Sequence, residues 1–361
     1  MKTLWIIGLA LGYLLLRAGQ ISATEYEVVR IGTLGGTGGV ALDINTSGQV
    51  VGHARNAHGD VLPFLWTVDN GISELLLPPG AIGGRASAIN DNGWIVGETW
   101  APFNSSQTTI WRPGHSPLVL DGLLGLSISH ATGVNNSGQV VGFAYSTVEE
   151  RHAFLWSEND GAIDLGTLGG TDSLADDIND SGVIVGNSEL DDNKTVHAFV
   201  WIAGDGISDL YPDWPLRDYV GIGINSAGDI VGQGEQVGDR KTPVFWPSNG
   251  GVPVYANGEW GWAGDINNRG MIVGRYREVS YLDPDHAFVW DGGDSLVTLP
   301  MLEPDGRYVA EAINDTGWIV GWGTDNGQEV PLLWTPEPTT LAMLSLGGVA
   351  MLRRQKHGGH K

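Results

Sequence analysis

Six residues have the types and spacing of a sugar-binding site. Tryptophan rings offer large, rigid apolar faces on which a sugar ring can stack, and nearby carboxylate and guanidinium groups can bond its hydroxyls. Two of the tryptophans stand between repeated units of the chain, and the third begins a loop. We predict a ligand-binding set that comprises Trp100, Trp214, Trp260, Asp213, Arg217 and Glu259. The alternative is that these side chains only pack locally.

Carboxylate pairs are the other groups that could do chemistry. Acids lie together at Asp176-Asp177, Asp191-Asp192 and Asp283/Asp285, and a glycosidase needs two carboxyls at a defined separation. In so acidic a chain such pairs carry little information, and the separation between distant segments does not follow from sequence. The Gly-x-Ser-x-Gly, His-Glu-x-x-His and phosphate-loop motifs do not occur. No catalytic residue is therefore assigned.

Metal binding has weak support in the sequence. Cysteine does not occur, which excludes disulfides and thiolate metal sites. The runs Asp191-Asp192-Asn193 and Asp283-x-Asp285 supply oxygen ligands, but neither follows the twelve-residue spacing of a calcium loop. We expect no cofactor and no metal site, with calcium as the alternative.

A unit that recurs seven times must position these groups. Its central phrase is Ile or Val, then Asn-x-x-Gly-x, then an apolar pair and a second Gly, and successive Asn residues are 45, 45, 44, 46, 42 and 47 apart. Asn followed three residues later by Gly is typical of a tight turn, because Asn bonds nearby backbone and Gly accepts a positive φ. The repeat asparagines are Asn45, Asn90, Asn135, Asn179, Asn225, Asn267 and Asn314.

Four strand-like runs belong to each unit. Apolar runs flank the Asn-x-x-Gly turn, a third run ends at a tryptophan 20 to 23 residues after the Asn, and a fourth run follows a polar turn. This is typical of one propeller blade. The sequence thus predicts an all-β, seven-bladed β-propeller of four-stranded blades. The tryptophans predicted to pack between blades are Trp66, Trp111, Trp156, Trp201, Trp246, Trp290 and Trp334.

The last unit lacks its fourth strand. Residues 26–36 resemble residues 162–170, which hold the fourth strand of an earlier unit. An N-terminal strand is therefore predicted to complete the seventh blade, which closes the ring and leaves no raw sheet edge.

The two faces of the predicted disc differ. Turns within the first and the last strand pair of each blade are short and uniform, whereas the loops between second and third strands and the blade connectors vary. Variable loops on a rigid scaffold usually bind, so we predict binding on their side, with connectors that include 211–217 and 257–262. His152, His197 and His286 share one repeat position, and we expect structural roles because equivalent positions are spread around the ring.

The charge of the chain excludes one class of partner. Residues 25–337 contain 42 acidic and 13 basic side chains, a net charge of −29. Such a body repels nucleic acid and anionic lipid. The simplest role of this charge is to maintain solubility, with salt adaptation or cation binding as the alternative.

Both ends have the composition of targeting segments. Residues 1–23 contain Lys2, an apolar stretch and a small-residue end at Ser22-Ala23, as in a secretory signal peptide. Residues 336–361 contain Pro336, Glu337 and Pro338, then a short apolar stretch, then Arg353 and Arg354. We therefore predict a signal peptide over 1–23, a propeller over 24–335 and a sorting segment with a short apolar helix over 336–361.

Two family resemblances follow from these motifs. The C-terminal segment resembles the PEP-CTERM sorting signal, which implies processing by an exosortase and a transient anchor in the inner membrane. The phrases His-Ala-Phe-(Leu/Val)-Trp at 152–156, 197–201 and 286–290, together with Leu-Gly-Thr-Leu-Gly-Gly-Thr at 165–171, resemble the bacterial extracellular HAF-repeat family. That likeness implies an exported location and no particular activity.

Two functional hypotheses remain open from sequence. The first is a secreted, exosortase-sorted binding or scaffold propeller at the cell surface or in the extracellular matrix, with exopolysaccharide or a surface protein as its partner. The second is a carbohydrate-active enzyme, a lyase or hydrolase, that uses carboxylates of the variable face.

Overall fold

Seven four-stranded antiparallel sheets make up the molecule. The computed structural model describes residues 26–102, 105–125, 128–145, 150–212, 218–236, 240–256, 260–278, 283–293 and 296–337. Within each sheet the strands follow one another in chain order, except in the sheet that also contains the first strand of the chain. The predicted signal peptide, Pro338, the apolar segment, and Arg353 and Arg354 lie outside the described residues.

The blades are numbered in chain order, with the innermost strand of each first. Blade 1 comprises β2 (Gly35–Ile44), β3 (Val50–Asn56), β4 (Val61–Thr67) and β5 (Gly71–Glu74), and blade 2 comprises β6 (Gly83–Ile89), β7 (Ile95–Ala101), β8 (Ser105–Trp111) and β9 (Leu118–Val119). Blade 3 comprises β10 (Ser129–Val134), β11 (Val140–Tyr145), β12 (Arg151–Ser157) and β13 (Gly161–Asp164), and blade 4 comprises β14 (Gly169–Ile178), β15 (Ile184–Leu190), β16 (Val196–Ile202) and β17 (Gly206–Asp209). Blade 5 comprises β18 (Tyr219–Ile224), β19 (Ile230–Gln236), β20 (Arg240–Trp246) and β21 (Val254–Tyr255). Blade 6 comprises β22 (Trp260–Ile266), β23 (Ile272–Arg277), β24 (His286–Trp290) and β25 (Val297–Thr298). Blade 7 comprises β26 (Tyr308–Ile313), β27 (Ile319–Asp325), β28 (Gln328–Pro336) and β1 (Tyr26–Arg30).

The ring is closed by its first strand, as the sequence predicts. Strand β1 pairs antiparallel with β28, with Tyr26 opposite Pro336 and Arg30 opposite Leu332. An ion pair of 2.7 Å between Arg30 and Asp325 lies beside this seam. Blade 7 therefore takes three strands from the end of the described chain and one from its beginning.

Apolar cores lie between neighbouring blades. Seven clusters of buried side chains occur in the described residues, and each joins two adjacent blades, such as Phe64 of blade 1 with Val320 of blade 7. Among the repeat tryptophans, four are buried and three are partly buried against these clusters. The indole Nε1 of Trp334 donates to the carbonyl of Pro300 at 2.8 Å, which ties blade 7 to the connector before it. The inter-blade role predicted for the repeat tryptophans is confirmed.

The second glycine of the repeat phrase is required by a bulge in the innermost strand. In every blade the register of the first strand pair shifts three residues before the repeat asparagine. A Cβ on Gly52, or on its equivalents in the other blades, would come within 2.0 to 2.2 Å of a carbonyl oxygen on that strand. No side chain fits there, which explains why this glycine never varies between units.

The disc has two distinct faces. The turn face carries the Asn-x-x-Gly turns and the turns between third and fourth strands, and the loop face carries the loops between second and third strands and the blade connectors. Both ends of the described chain are on the turn face. A Cβ on Gly317, in the Asn314 turn, would lie 3.4 Å from Pro336 and 3.7 Å from Tyr26.

Candidate binding site around the central channel

A closed ring of asparagine side chains surrounds the channel at the turn face. Each repeat asparagine is buried, and its Nδ2 donates to the backbone carbonyl of the asparagine in the next blade at 2.8 to 3.3 Å. Its Oδ1 accepts backbone N–H groups of its own turn, as Asn135 does from Ser137 and Gln139. A side-chain amide can donate to the next blade through its nitrogen while its oxygen accepts from its own turn. The repeat asparagine therefore has a structural role, because it joins neighbouring blades.

A shallow depression of about 200 Å³ marks the channel mouth at the turn face. Its rim is formed by the residue after each repeat asparagine, and five of the seven neighbouring pairs of these residues are hydrogen-bonded. Thr46 N donates to Asp91 Oδ1 at 2.9 Å, and Asp91 N donates to Asn136 Oδ1 at 2.9 Å. Because the rim groups are engaged with each other, we assign this mouth to ring assembly.

Three aspartates one layer inside the channel join pairs of blades. Asp43 accepts the backbone N–H of Ile44 through Oδ1 and that of Ile89, in the next blade, through Oδ2, both at 2.7 Å. The same arrangement occurs at Asp177, with Ile178 and Ile224, and at Asp265, with Ile266 and Ile313. We call Asp43, Asp177 and Asp265 the bridging aspartates.

Small residues separate the bridging aspartates around the ring. The equivalent positions in blades 2, 3, 5 and 7 are Ala88, Gly133, Gly223 and Ala312. A Cβ on Gly223 would lie 3.1 Å from the Cα of Asp265, so this layer has little spare room. No two bridging aspartates are neighbours, which limits the repulsion between their charges.

Desolvation changes the protonation of these carboxyls. Burial raises the pKa of Asp43 to about 7 and that of Asp265 to about 8, against the opposing effect of their backbone hydrogen bonds. Burial also raises the pKa of Asp177. Repulsion by Asp177 contributes to the raised pKa of both other bridging aspartates.

Two further carboxyls stand at the bulge positions of the innermost strands. Asp176 of blade 4 accepts from Asn187 Nδ2 at 2.6 Å, and Glu311 of blade 7 accepts from the indole of Trp322 at 3.0 Å. Burial is the main cause that raises the pKa of each carboxyl. Together with the bridging aspartates they line a channel cavity of about 210 Å³. A raised pKa favours the protonated form of a carboxyl, which can donate a hydrogen bond to a ligand.

The next layer toward the loop face differs in every blade. It pairs the residue five before each repeat asparagine with the residue after the second glycine. The pairs are Val40/His53, Arg85/Glu98, His130/Phe143, Leu174/Asn187, Val220/Gln233, Trp262/Arg275 and Val309/Trp322. We call these fourteen residues the variable layer.

One charged cluster of the variable layer joins blades 2 and 3. Glu98 is buried and bonds Arg85 at 2.5 Å, and it also bonds His130 Nδ1 and the hydroxyl of Ser106. Burial alone would raise the pKa of Glu98, but these partners hold it below its usual value. Burial together with the nearby guanidinium of Arg85 lowers the pKa of His53 to about 4. Near neutral pH Glu98 is therefore ionised, and His53 is neutral.

Two of the predicted ligand-binding residues can be located, and they belong to separate parts of the ring. Trp100 lies in β7 of blade 2 with its indole against Gly83, and Trp260 begins β22 of blade 6. Blades 2 and 6 are not neighbours, so the structure does not bring these rings together. Asp213, Trp214, Arg217 and Glu259 lie outside the described residues.

The expected positions of both tryptophans need correction. The sequence predicts that Trp100 starts a loop, yet its strand continues to Ala101. The sequence predicts that Trp260 and Trp262 lie in a connector, yet both lie within the innermost strand of blade 6. The reason is backbone pairing with Arg277 and Arg275, which hydrophobic alternation does not encode. Trp262 and Trp322 belong to the variable layer, and sequence reasoning missed both.

The three histidines of the His-Ala-Phe phrase differ in their partners. His152 bonds Asp164 at 2.8 Å and His197 bonds Asp209 at 2.7 Å. Tyr219 also bonds His197, and burial together with Asp209 raises the pKa of Tyr219. These contacts agree with structural roles in blades 3 and 4. In blade 6 the position of the aspartate is taken by Thr298.

Neither a metal cluster nor a membrane-spanning helix occurs in the part of the chain that the structure describes. No group of three or more His, Asp or Glu side chains there is arranged to hold a metal ion. No helix among the same residues is long and apolar enough to cross a bilayer.

Comparisons with known proteins show the fold alone. No protein-family model matches the chain, and no curated protein matches it. Virginiamycin B lyase from Staphylococcus aureus is 12% identical, with a TM-score of 0.50 over 86% of this chain and 99% of that one. A prolyl endopeptidase is 11% identical, with a TM-score of 0.52 over 83% of this chain and 46% of that one. TolB from Acinetobacter baumannii is 12% identical, with a TM-score of 0.44 over 87% and 83% of the two chains.

Proposed function

We propose that this chain is an exported propeller that binds exopolysaccharide at the cell surface or in the extracellular matrix. It is sorted through Pro336, Glu337 and Pro338 by an exosortase-type enzyme, and its basic tail with Arg353 and Arg354 keeps it in the inner membrane until it is processed. The loop face and the adjoining variable layer take the ligand. The generic propeller fold is compatible with this role and does not specify it.

The position of the two chain ends is the observation that carries this proposal. Tyr26 and Pro336 are paired at the turn face, so a leader before the propeller and an anchor after it both leave from that side. The loop face points the other way and is free of both attachments. A tethered propeller would thus present its variable side outward.

The distribution of variation around the channel supports the same face. The asparagine ring and the second glycine are identical in all seven units, as their packing requires. The variable layer mixes aromatic, cationic, anionic and amide side chains. Residues of the variable layer are not needed to assemble the ring, and a rigid repeat scaffold usually binds its ligand through such variable positions.

A retention experiment tests the proposal. The fragment 24–336 would be immobilised through its C-terminus, so that the loop face is free, and exposed to the exopolysaccharide of the producing cells. We expect retention of the polymer, and loss of retention when the same fragment is coupled through a cysteine introduced at Asn193 in a loop of the loop face. No retention in either orientation would refute the binding role.

The second hypothesis, a carbohydrate-active enzyme, has one observation in its favour. Asp176 and Glu311 hold raised pKa values at the channel wall of blades 4 and 7, whereas both oxygens of each bridging aspartate accept backbone N–H groups. A polysaccharide that the fragment binds should then be shortened, and Asp176→Asn should abolish the cleavage. Unchanged chain length after prolonged incubation would leave the binding role alone.

A further inference from the structure

The residue that follows the glycine of each Asn-x-x-Gly turn lies at the border with the next blade, and in two blades it is a tryptophan. Trp94 of blade 2 lies against the turn of blade 3, where a Cβ on Gly138 would be 3.1 Å from its ring. Trp318 of blade 7 lies against the turn of blade 1 in the same way, 3.1 Å from a Cβ on Gly48. Both indoles pack against the apolar cluster between the blades that they join. We call this repeat position the inter-blade position.

Polar residues occupy the inter-blade position in three other blades. Blades 1, 3 and 5 have Gln49, Gln139 and Asp229, whereas blades 4 and 6 have Val183 and Met271, which pack against the neighbouring clusters. The side chain of Gln49 is held in its own turn, because its Oε1 accepts from Asn45 Nδ2 at 2.8 Å. Among the described residues, the apolar cluster between blades 1 and 2 therefore includes no side chain from this position.

A cavity of about 400 Å³ lies at the corresponding place between blades 1 and 2. Its lining includes Gln49 and Gly93, the turn glycine equivalent to those that the two indoles cover. Its apolar part comprises Leu65, Leu75, Ile95 and Trp111, all from the cluster between these blades. Exposed turn residues of blade 2 also border it, so it opens on the turn face. Its volume is within the range of ligand pockets, about 300–1,000 Å³.

The charges around this cavity favour a neutral ligand. Its two charged lining residues are Arg112 and Asp91, which are opposite in sign. The Nη1 of Arg112 is paired with Glu158 of blade 3. The Oδ1 of Asp91 accepts from the backbone N–H and the hydroxyl of Thr46. Because each charge already has a partner, neither an anion nor a cation gains an unpaired charge here.

The remaining polar group suits an aromatic ring. The Nε of Arg112 is buried and has no hydrogen-bond partner among the described residues. A guanidinium can interact with the face of an aromatic ring, and that of Arg112 already lies 5.2 Å from the centre of the Trp94 ring in the next interface. Apolar cavities in proteins also take up flat aromatic molecules.

We propose that the cavity between blades 1 and 2 binds a neutral aromatic ring of the indole class. The protein itself shows the fit, because an indole occupies the corresponding space between blades 2 and 3 and between blades 7 and 1. The ring belongs either to a free aromatic molecule or to a tryptophan side chain of another polypeptide. The site is on the turn face, so this inference is independent of the ligand proposed for the loop face.

Titration of the full chain with a fluorinated indole, followed by fluorine NMR, tests the inference. We expect saturable binding, which Gln49→Trp should abolish because its own ring then fills the cavity. Blades 2 and 7 accept tryptophan at this position, and a filled cavity stabilises, so the melting temperature of the variant should be unchanged or higher. Gln49→Met introduces the residue of blade 6 and should weaken indole binding, because methionine fills the cavity in part.

The matched control is Gln139→Trp, which places the same ring at the inter-blade position of blade 3. Asn135 donates to Gln139 at 2.7 Å, as Asn45 does to Gln49 at 2.8 Å, so the two substitutions break equivalent bonds. We expect Gln139→Trp to leave indole binding unchanged. Competition by N-acetyltryptophanamide distinguishes the two sources of the ring. Displacement indicates a tryptophan of another polypeptide, and no displacement indicates a free aromatic molecule.

Three results would overturn the inference. They are absence of saturable indole binding, equal binding by Gln49→Trp and the unchanged protein, and equal loss of binding in Gln49→Trp and Gln139→Trp. If Gln49→Trp does not fold, unchanged indole binding by Gln49→Met overturns the inference in its place.

Discussion

The side chain of Asn314 donates a hydrogen bond of 3.0 Å to the backbone carbonyl of Asn45, 269 residues earlier in the chain. The other six asparagine bonds each join units next to each other in sequence. The bond from Asn314 is therefore the one that turns a row of repeats into a ring at the channel. At the rim, the pairing of β1 with β28 does the same.

Removal of one ring asparagine should destabilise the whole propeller. Asn135→Ala deletes two accepted and two donated hydrogen bonds in a buried position. We expect the free energy of unfolding to fall by about 2–4 kcal/mol, because backbone groups of two blades lose their partners. Urea unfolding measures the change. Ser137→Ala, an exposed residue of the same turn, should stay within about 0.5 kcal/mol, and equal effects of the two variants would contradict a role for the ring.

The bridging aspartates should make the protein less stable as the solution becomes alkaline. Their pKa values are raised in the folded state, from the ordinary aspartate value of 3.8 to about 7 for Asp43 and about 8 for Asp265. The folded state thus binds more protons than the unfolded state between these limits, so the free energy of unfolding falls as pH rises. His53 has the opposite effect only below 6.5, where the unfolded histidine gains a proton. The decline should be clearest from about pH 6.5 to 8.

Unfolding midpoints in urea across that window would measure the decline. Asp43→Asn cannot titrate, so its stability should fall less steeply with pH, although one accepted backbone bond is lost. Groups with lowered pKa values, such as Glu98 and Asp285, lose their stabilising effect only in acid and do not interfere. A flat profile for the unchanged protein would show that these carboxyls are ionised throughout.

The second glycine of the repeat phrase should tolerate no side chain. In Gly142→Ala the new Cβ would meet the carbonyl oxygen of His130 at 2.0 Å, and relief requires displacement of the innermost strand. We expect a loss of about 3 kcal/mol or more, measured by thermal unfolding. Gly264→Ala is a matched control, because its Cβ would lie 3.3 Å from the nearest atom, the carbonyl of Glu311, and a small effect is expected there. A fully stable Gly142→Ala protein would show that the bulge can move.

The two ends of the chain should contribute very differently to stability. Deletion of residues 26–30 removes β1 and exposes the backbone of β28, an open edge that favours aggregation. Deletion of residues 338–361 removes no described contact. We expect aggregation or a large fall in melting temperature for the first variant and no change for the second. Size-exclusion chromatography with thermal unfolding distinguishes them, and a stable monomer without β1 would refute closure by this strand.

The sequence was sufficient to predict the ring. Spacing of the repeat asparagines, the trailing tryptophans and the match between residues 26–36 and 162–170 predict the blade number and the closing strand. The bridging aspartates were not predicted, although aspartate two before the repeat asparagine recurs in blades 1, 4 and 6. Each of these aspartates bonds a backbone N–H of the next blade, and only the assembled ring determines which N–H lies beside the carboxylate.

The tryptophans and arginines that face each other in the first two strands of blade 6 were also missed, for a different reason. Trp260 belongs to the predicted ligand-binding set, but Arg277 and Arg275, which lie opposite Trp260 and Trp262 on the next strand, belong to no predicted set. Strand register in blade 6 brings them together. A comparison of the residue after each second glycine would have drawn attention to Arg275 and Trp322, since this column of the repeat differs in all seven units.

Because Tyr26 and Pro336 are opposite each other in a hairpin-like pair, the polypeptide is topologically a circle that has been cut once. The cut lies where the other six blades have a short turn between their third and fourth strands. A short peptide joining these two residues would rebuild the missing turn, and new termini could be made at any of the six others. Every such permuted protein would keep all of its sheets intact. The order of the blades along the chain, and so the order of their synthesis, is therefore independent of the final fold.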